Sequence, residues 1–117
     1  MKSTRFVASV LALASGIVAA SAASAADAVK GKEIYVKVGC YACHGYDAQG
    51  ASTGPKLAPD PMPADALASY IRNSAPTLMP VYSEKVLGDP EVADIHAYLV
   101  SIKKPPSAKD LPLLSNP

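Results

Sequence analysis

Cys40-Tyr41-Ala42-Cys43-His44 is the stretch on which the reading of this 117-residue chain turns. C-x-x-C-H is the spacing by which a polypeptide attaches a c-type haem. Two thiols add to the two vinyl groups on one edge of the porphyrin, and the adjacent histidine swings beneath the ring to ligate iron. Two other chemistries use the same residue types. A bare C-x-x-C serves as a disulfide or dithiol redox pair, but beside a βαβ pattern that this sequence lacks. Zinc takes thiolates and imidazole, but the chain has no other cysteine and its one further histidine is His96, so no second cysteine pair closes a tetrahedron.

Upstream, Lys2 and Arg5 form a positive n-region, residues 6–20 are apolar with only small interruptions, and Ala23-Ser24-Ala25 is an A-x-A cleavage site. Residues 1–25 read as a secretory signal peptide, which places the mature chain in the periplasm. The competing reading, a membrane anchor, needs an apolar span of ~20 residues, and this run is shorter and rich in Ala and Ser. No later segment has the composition to cross a bilayer. Export agrees with the motif, because thioether attachment in bacteria takes place outside the cytoplasm.

Removing 25 of the 117 residues leaves 92, enough for one domain and too few for two. So short a chain buries a modest core, and a large apolar ring seated in it adds buried surface. The leader carries two of the eleven basic residues and none of the ten acids, which leaves the mature chain one charge negative. That balance argues against nucleic acid as a partner. A local basic patch around Lys30, Lys32 and Lys37 stays open.

Along the mature chain the periodicity is helical. Residues 27–38 form a first helix, with Asp27 as cap, an apolar stripe of Val29, Ile34, Tyr35 and Val38, and Gly39 ending it just before the cysteines. Gly31 inside it costs stability and implies close approach of another backbone. Residues 45–61 are a glycine- and proline-punctuated loop that can shield the histidine. Residues 64–73 make an amphipathic helix behind Pro63, with Leu67 and Ile71 on one face. After a proline-bearing stretch around Met79, Ser83 starts a short helical turn that Gly88 stops. Asp89-Pro90-Glu91 then opens a last helix, with Asp89 as cap, Pro90 first, and a stripe of Val92, Ile95, Leu99 and Ile102. Lys103 and Lys104 suit its C-terminal end. Residues 105–117 form a Pro/Leu-rich tail, with Leu111, Leu113 and Leu114, that either packs on the domain or serves a partner. No repeat and no strand-like alternation occurs.

Helix, C-x-x-C-H, proline-bearing loop, helix, methionine-proline loop and terminal helix, in that order over residues 27–104, resemble a class I monohaem cytochrome c of bacterial type. The resemblance implies an all-α fold, three to four helices and long loops wrapped around one covalently attached haem, spanning residues 26–104. It implies thioethers at Cys40 and Cys43, His44 as proximal ligand and Met79 as distal ligand. Gly54-Pro55-Lys56-Leu57 is similar to the family's loop in which the Pro55 carbonyl accepts from the ligand imidazole and Leu57 lies against the ring. A ligating imidazole does need a partner for its second nitrogen, and a neutral, soft methionine sulfur favours ferrous iron. Met62 and His96 are the other candidates for the sixth position. Gly31, Tyr35 and Tyr98 resemble the family's crossing of terminal helices.

With six tyrosines, no tryptophan and its single Phe in the leader, the mature chain relies on tyrosine hydroxyls as buried donors. Tyr46, Tyr70 and Tyr82 are candidates, and Arg72 either pairs a haem propionate or, as is commoner for a helix-end arginine, faces solvent. The function implied is electron transfer by one haem c, from a dehydrogenase to a cytochrome or terminal oxidase, with a contact patch at Ala42 and Val81. Two alternatives are the cytochrome subunit of a stable flavin or quinoprotein dehydrogenase, docked by the leucine-bearing tail, and a haem enzyme or gas sensor with open iron.

Overall fold

Asp27 opens the first helix by satisfying amides that have no partner within it. In the computed structural model, which describes residues 25–76 and 79–112, its carboxylate accepts from the amides of Val29 at 2.8 Å and Lys30 at 3.2 Å. From this cap α1 runs over Ala28–Lys37. Its other end closes as a Schellman motif. The Gly39 amide donates to the Val36 carbonyl and the Cys40 amide to the Tyr35 carbonyl, both at 3.1 Å, with Gly39 at φ +86°. That left-handed turn feeds directly into α2, Tyr41–His44, a single turn. α3 covers Ala64–Asn73 and α4 covers Asp89–Ser101. The tail carries one 3-10 turn, Ala108–Asp110, held by Ser107 and Asp110. Among the described residues the β contact is an isolated bridge between Ala51 and Gly54, so the all-α expectation holds. The leader up to Ser24 and the tail leucines 113 and 114 lie outside the described residues.

Two local expectations shift, both at α4. At α4 the N-cap is Gly88, and Pro90 is the second helical residue rather than the first. The cause is Arg72, which takes the Asp89 carboxylate at 2.9 Å. Glu91 serves the helix start instead, accepting from the Gly88 amide at 2.8 Å. α4 also ends before Ile102, where the Ser101 hydroxyl donates to the Tyr98 carbonyl at 2.6 Å. Residues 83–87 close as the expected short helical turn, with the Val86 and Leu87 amides both on the Ser83 carbonyl at 3.0 Å, ending at Gly88.

The core forms where α1 crosses α4. A Cβ placed on Gly31 would run into the Asp94 carbonyl and lie 2.9 Å from the Ile95 nitrogen, so the two backbones touch only because the side chain is missing. Tyr35 and Tyr98 pack beside this contact, ring centroids 5.4 Å apart and tilted by 60°, a favourable aromatic geometry. Ile34, Val92, Ile95 and Leu99 continue the core, and Leu67 and Ile71 bring α3 onto it.

Asp94 strengthens the crossing with its side chain. One oxygen accepts from the Asp27 amide at 2.8 Å, and the other meets the Lys30 ammonium at 2.9 Å. The Asp27 amide, and after it Lys30, hold the Asp94 carboxyl below its usual value. Lys30 is raised in turn. Lys32 sits 5.7 Å from the Tyr98 ring centre and 3.7 Å from an Asp47 oxygen. Two of the three lysines at which a basic patch was left open thus have acidic neighbours, Asp94 for Lys30 and Asp47 for Lys32.

Gly31→Ala should cost about 1–3 kcal/mol through overpacking, read as a lower Tm. Because the Asp94 pKa is lower folded than unfolded, the unfolded chain binds more protons between the two values. The stabilisation is full above about pH 4 and is lost as pH falls through the depressed folded value. Thermal melts from pH 2 to 6 should therefore show a shallower acid limb for Asp94→Asn than for the wild type.

Candidate functional site

The single turn of α2 does the local work. The His44 amide donates to the Cys40 carbonyl at 3.0 Å and the Gly45 amide to the Tyr41 carbonyl at 2.9 Å. Residues three apart share a helix face, so Cys40 and Cys43 point to one side with His44 next to them. Both cysteines are free and half-buried. Burial pushes the Cys40 thiol up to about 11. That is the opposite direction from a catalytic dithiol, whose thiol is lowered to favour thiolate.

His44 is only 8% exposed, and its Nδ1 lies 2.7 Å from the Pro55 carbonyl oxygen. A carbonyl can only accept, so Nδ1 carries the hydrogen and Nε2 keeps its lone pair free for a metal. The loop that delivers Pro55 is tied to itself. The Gly50 amide reaches the His44 carbonyl at 2.8 Å, and the Leu57 and Ala58 amides share the Ala48 carbonyl at 2.9 and 3.1 Å. Ala48 is fully buried at a positive φ of 52°. Gly54 lets the loop lie against the cysteine turn, since a Cβ there would sit 2.6 Å from the Cys43 oxygen.

Tertiary packing brings the other predicted residues towards this turn. Cys40, Leu57 and Met79, each partly buried, all pack on the one apolar core. The Tyr82 hydroxyl, three residues past Met79, donates to the Val38 carbonyl at 2.9 Å, across 44 residues of chain. Burial raises the Tyr82 phenol, and the Cys40 and Cys43 sulfurs add to it. Leu57, Leu67 and Leu99 meet at a cavity of about 80 Å³, rimmed by Lys56, Asp60 and Met62.

The remaining candidates fall elsewhere. His96 Nε2 is 3.1 Å from the Met62 carbonyl, so these two residues tie a loop to α4. Tyr46 and Tyr70 are about half-exposed, Tyr46 stacked on Tyr41 at 4.5 Å. Besides the partly buried Tyr82, the buried Tyr35 donates to the Gly45 carbonyl and the buried Tyr98 to the Tyr46 carbonyl, each at 2.8 Å. Tyrosine hydroxyls thus serve backbone carbonyls, as expected of them in general, although these two were singled out only for the helix crossing. Arg72 corrects the expectation outright. Its side chain is 16% exposed, and it donates to the Tyr82 carbonyl at 3.0 Å and the Leu87 carbonyl at 2.7 Å as well as to Asp89. No local signal in the sequence announces those partners, which lie 10 to 17 residues away.

The donor set suits an iron porphyrin. It combines a buried imidazole with one nitrogen free, two unpaired thiols on one helical face and a soft thioether against the same core. Among the described residues no group of three or more His, Cys, Asp and Glu side chains comes together as a metal ion would need. The zinc alternative therefore has no site among them.

The family model described as cytochrome C oxidase, cbb3-type, subunit III matches residues 26–99. No curated protein and no solved structure matches.

Gly54→Ala should displace the loop from Cys43 and lengthen the Pro55 contact to His44, at a cost of about 1–3 kcal/mol. Faster solvent exchange of the His44 Nδ1 proton in NMR, beside a lower Tm, is the expected result.

Proposed function

Since the chain belongs to the c-type cytochrome family whose model is described as cbb3-type oxidase subunit III, we propose that it is a single-haem electron carrier with His44 and Met79 as axial ligands. When bound, haem c supplies one iron that takes up and returns a single electron. The observation that carries this assignment is the 2.7 Å bond from His44 Nδ1 to the Pro55 carbonyl, which leaves the other nitrogen free for the metal.

The protein's own residues divide the remaining work. Cys40 and Cys43, on one face of a single helical turn, provide the two thioether sites. The Pro55 carbonyl keeps the imidazole in one tautomer and fixes its ring angle, as outer partners of metal-bound histidines do. Met79 would hold the iron through a neutral, soft sulfur, which favours the ferrous state. Leu57, Leu67 and Leu99 line one small cavity against the core. Ala42 and Val81 are exposed apolar residues suited to a brief partner contact of less than roughly 1,200 Å².

On the same reading residues 1–25 are a cleaved export signal and the carrier works in the periplasm, receiving electrons from a dehydrogenase and delivering them to a cytochrome or an oxidase. Among the described residues no helix is long and apolar enough to cross a membrane. The family description favours one second reading, a chain that works as a bound subunit of an oxidase. Gel filtration of native extract separates the two by apparent mass.

Mass spectrometry of the exported chain should show the polypeptide cut after Ala25 plus one porphyrin, resistant to acid-acetone extraction. Met79→Ala should keep that adduct, lose the sulfur-to-iron charge-transfer band, lower the reduction potential and admit carbon monoxide to the ferrous form. An unchanged band would transfer the ligand role to another residue.

A further inference from the structure

The segment that carries Met79 has little regular structure of its own, and the last residues of α3 hold it. Three neighbouring groups there act as a comb. The Ile71 carbonyl, left free at the helix end, accepts from the Tyr82 amide at 3.2 Å. The Ser74 hydroxyl, on a residue only 6% exposed, lies 3.3 Å from the Met79 carbonyl and 3.4 Å from that of Pro80. Between them Arg72 spreads its guanidinium over the Tyr82 carbonyl, the Leu87 carbonyl and the Asp89 carboxylate.

We infer that Arg72 is a positioning residue, whose guanidinium clamps the segment after Met79 onto α3 and thereby keeps the methionine sulfur in its ligating place. The inference rests on the reading of Met79 as axial ligand. Its contacts are unlike those of a surface ion pair. Asp89 is mostly exposed and contributes little by itself, whereas the two carbonyls are partly buried and bracket the loop five residues apart. A rigid planar fork with five donors can serve three acceptors at once, and a lysine ammonium on a flexible stem cannot hold the same arrangement. Tyr82, one of the clamped residues, also reaches the Val38 carbonyl beside the cysteine turn. Loosening residues 82–87 therefore leaves the methionine loop held only at its start, by the Ser74 hydroxyl and by the Met79 amide on the Ala75 carbonyl at 3.1 Å.

The test compares Arg72→Ala, Arg72→Lys, Met79→Ala and Asp94→Asn in the haem-loaded chain. Imidazole titration of the ferric form is read beside the sulfur-to-iron band and Tm. Both Arg72 variants should retain covalent haem, show a weakened band that fades further on mild warming, and bind imidazole at least about tenfold more tightly than wild type, in keeping with a lost charge-assisted bond. Asp94→Asn, at the far helix crossing, should lower Tm with no change in imidazole affinity, which separates local opening from general destabilisation. If Arg72→Ala does not fold, Arg72→Lys decides. Wild-type imidazole affinity in the Arg72 variants, with tight binding in Met79→Ala, overturns the clamp alone. Wild-type affinity in Met79→Ala overturns both the clamp and the ligand assignment beneath it.

Discussion

Where α1 crosses α4, the missing side chain of Gly31 lets the helix backbones meet at the Asp94 carbonyl, and that approach sets the spacing of the whole core. Tyr35 and Tyr98 can pack ring against ring only at this separation, and each then has a hydroxyl to spare for the loop beyond the cysteine turn. Asp94 adds a second hold by binding the start of α1 at Asp27 and Lys30. A backbone contact, an aromatic pair and a carboxylate thus act at one place. The first and last helices become the frame against which everything between them is positioned.

Between those helices the chain is mostly irregular, which leaves many backbone carbonyls to be satisfied without a sheet or helix ladder. The chain meets this need with side chains that pair an apolar body or stem with a polar end. Tyr35, Tyr82 and Tyr98 each bury a ring and donate to a distant carbonyl, and Arg72 serves two more. Among the described residues no buried side-chain nitrogen or oxygen lacks a partner. The described residues, which hold neither tryptophan nor phenylalanine, therefore use tyrosines as both core filler and loop ties.

The proposed site follows the same division. α2 sets the two thiols and the imidazole relative to one another by local geometry alone, because they occupy a single turn. The Pro55 carbonyl arrives through a loop folded on Ala48 and pressed against Cys43 at Gly54. Met79 packs on the same core, and its backbone is tied to the end of α3 through Ser74 and Ala75.

The sequence by itself determined the attachment turn, the cap at Asp27, the glycine stop at Gly39, the buried stripes of α3 and α4, and the need for a close approach at Gly31. Each of these depends on residues within one or two turns of chain, where spacing fixes geometry. Only the tertiary structure decided that Asp89 would serve Arg72 and leave the start of α4 to Glu91, that Lys30 and Lys32 would be engaged by partners, and that His96 would pair with Met62. Only it turned Arg72 inward onto two carbonyls. These partners lie 10 or more residues apart. An arginine's pattern of neighbours in sequence looks the same whether it faces solvent or a carbonyl that the folded loop brings beneath it.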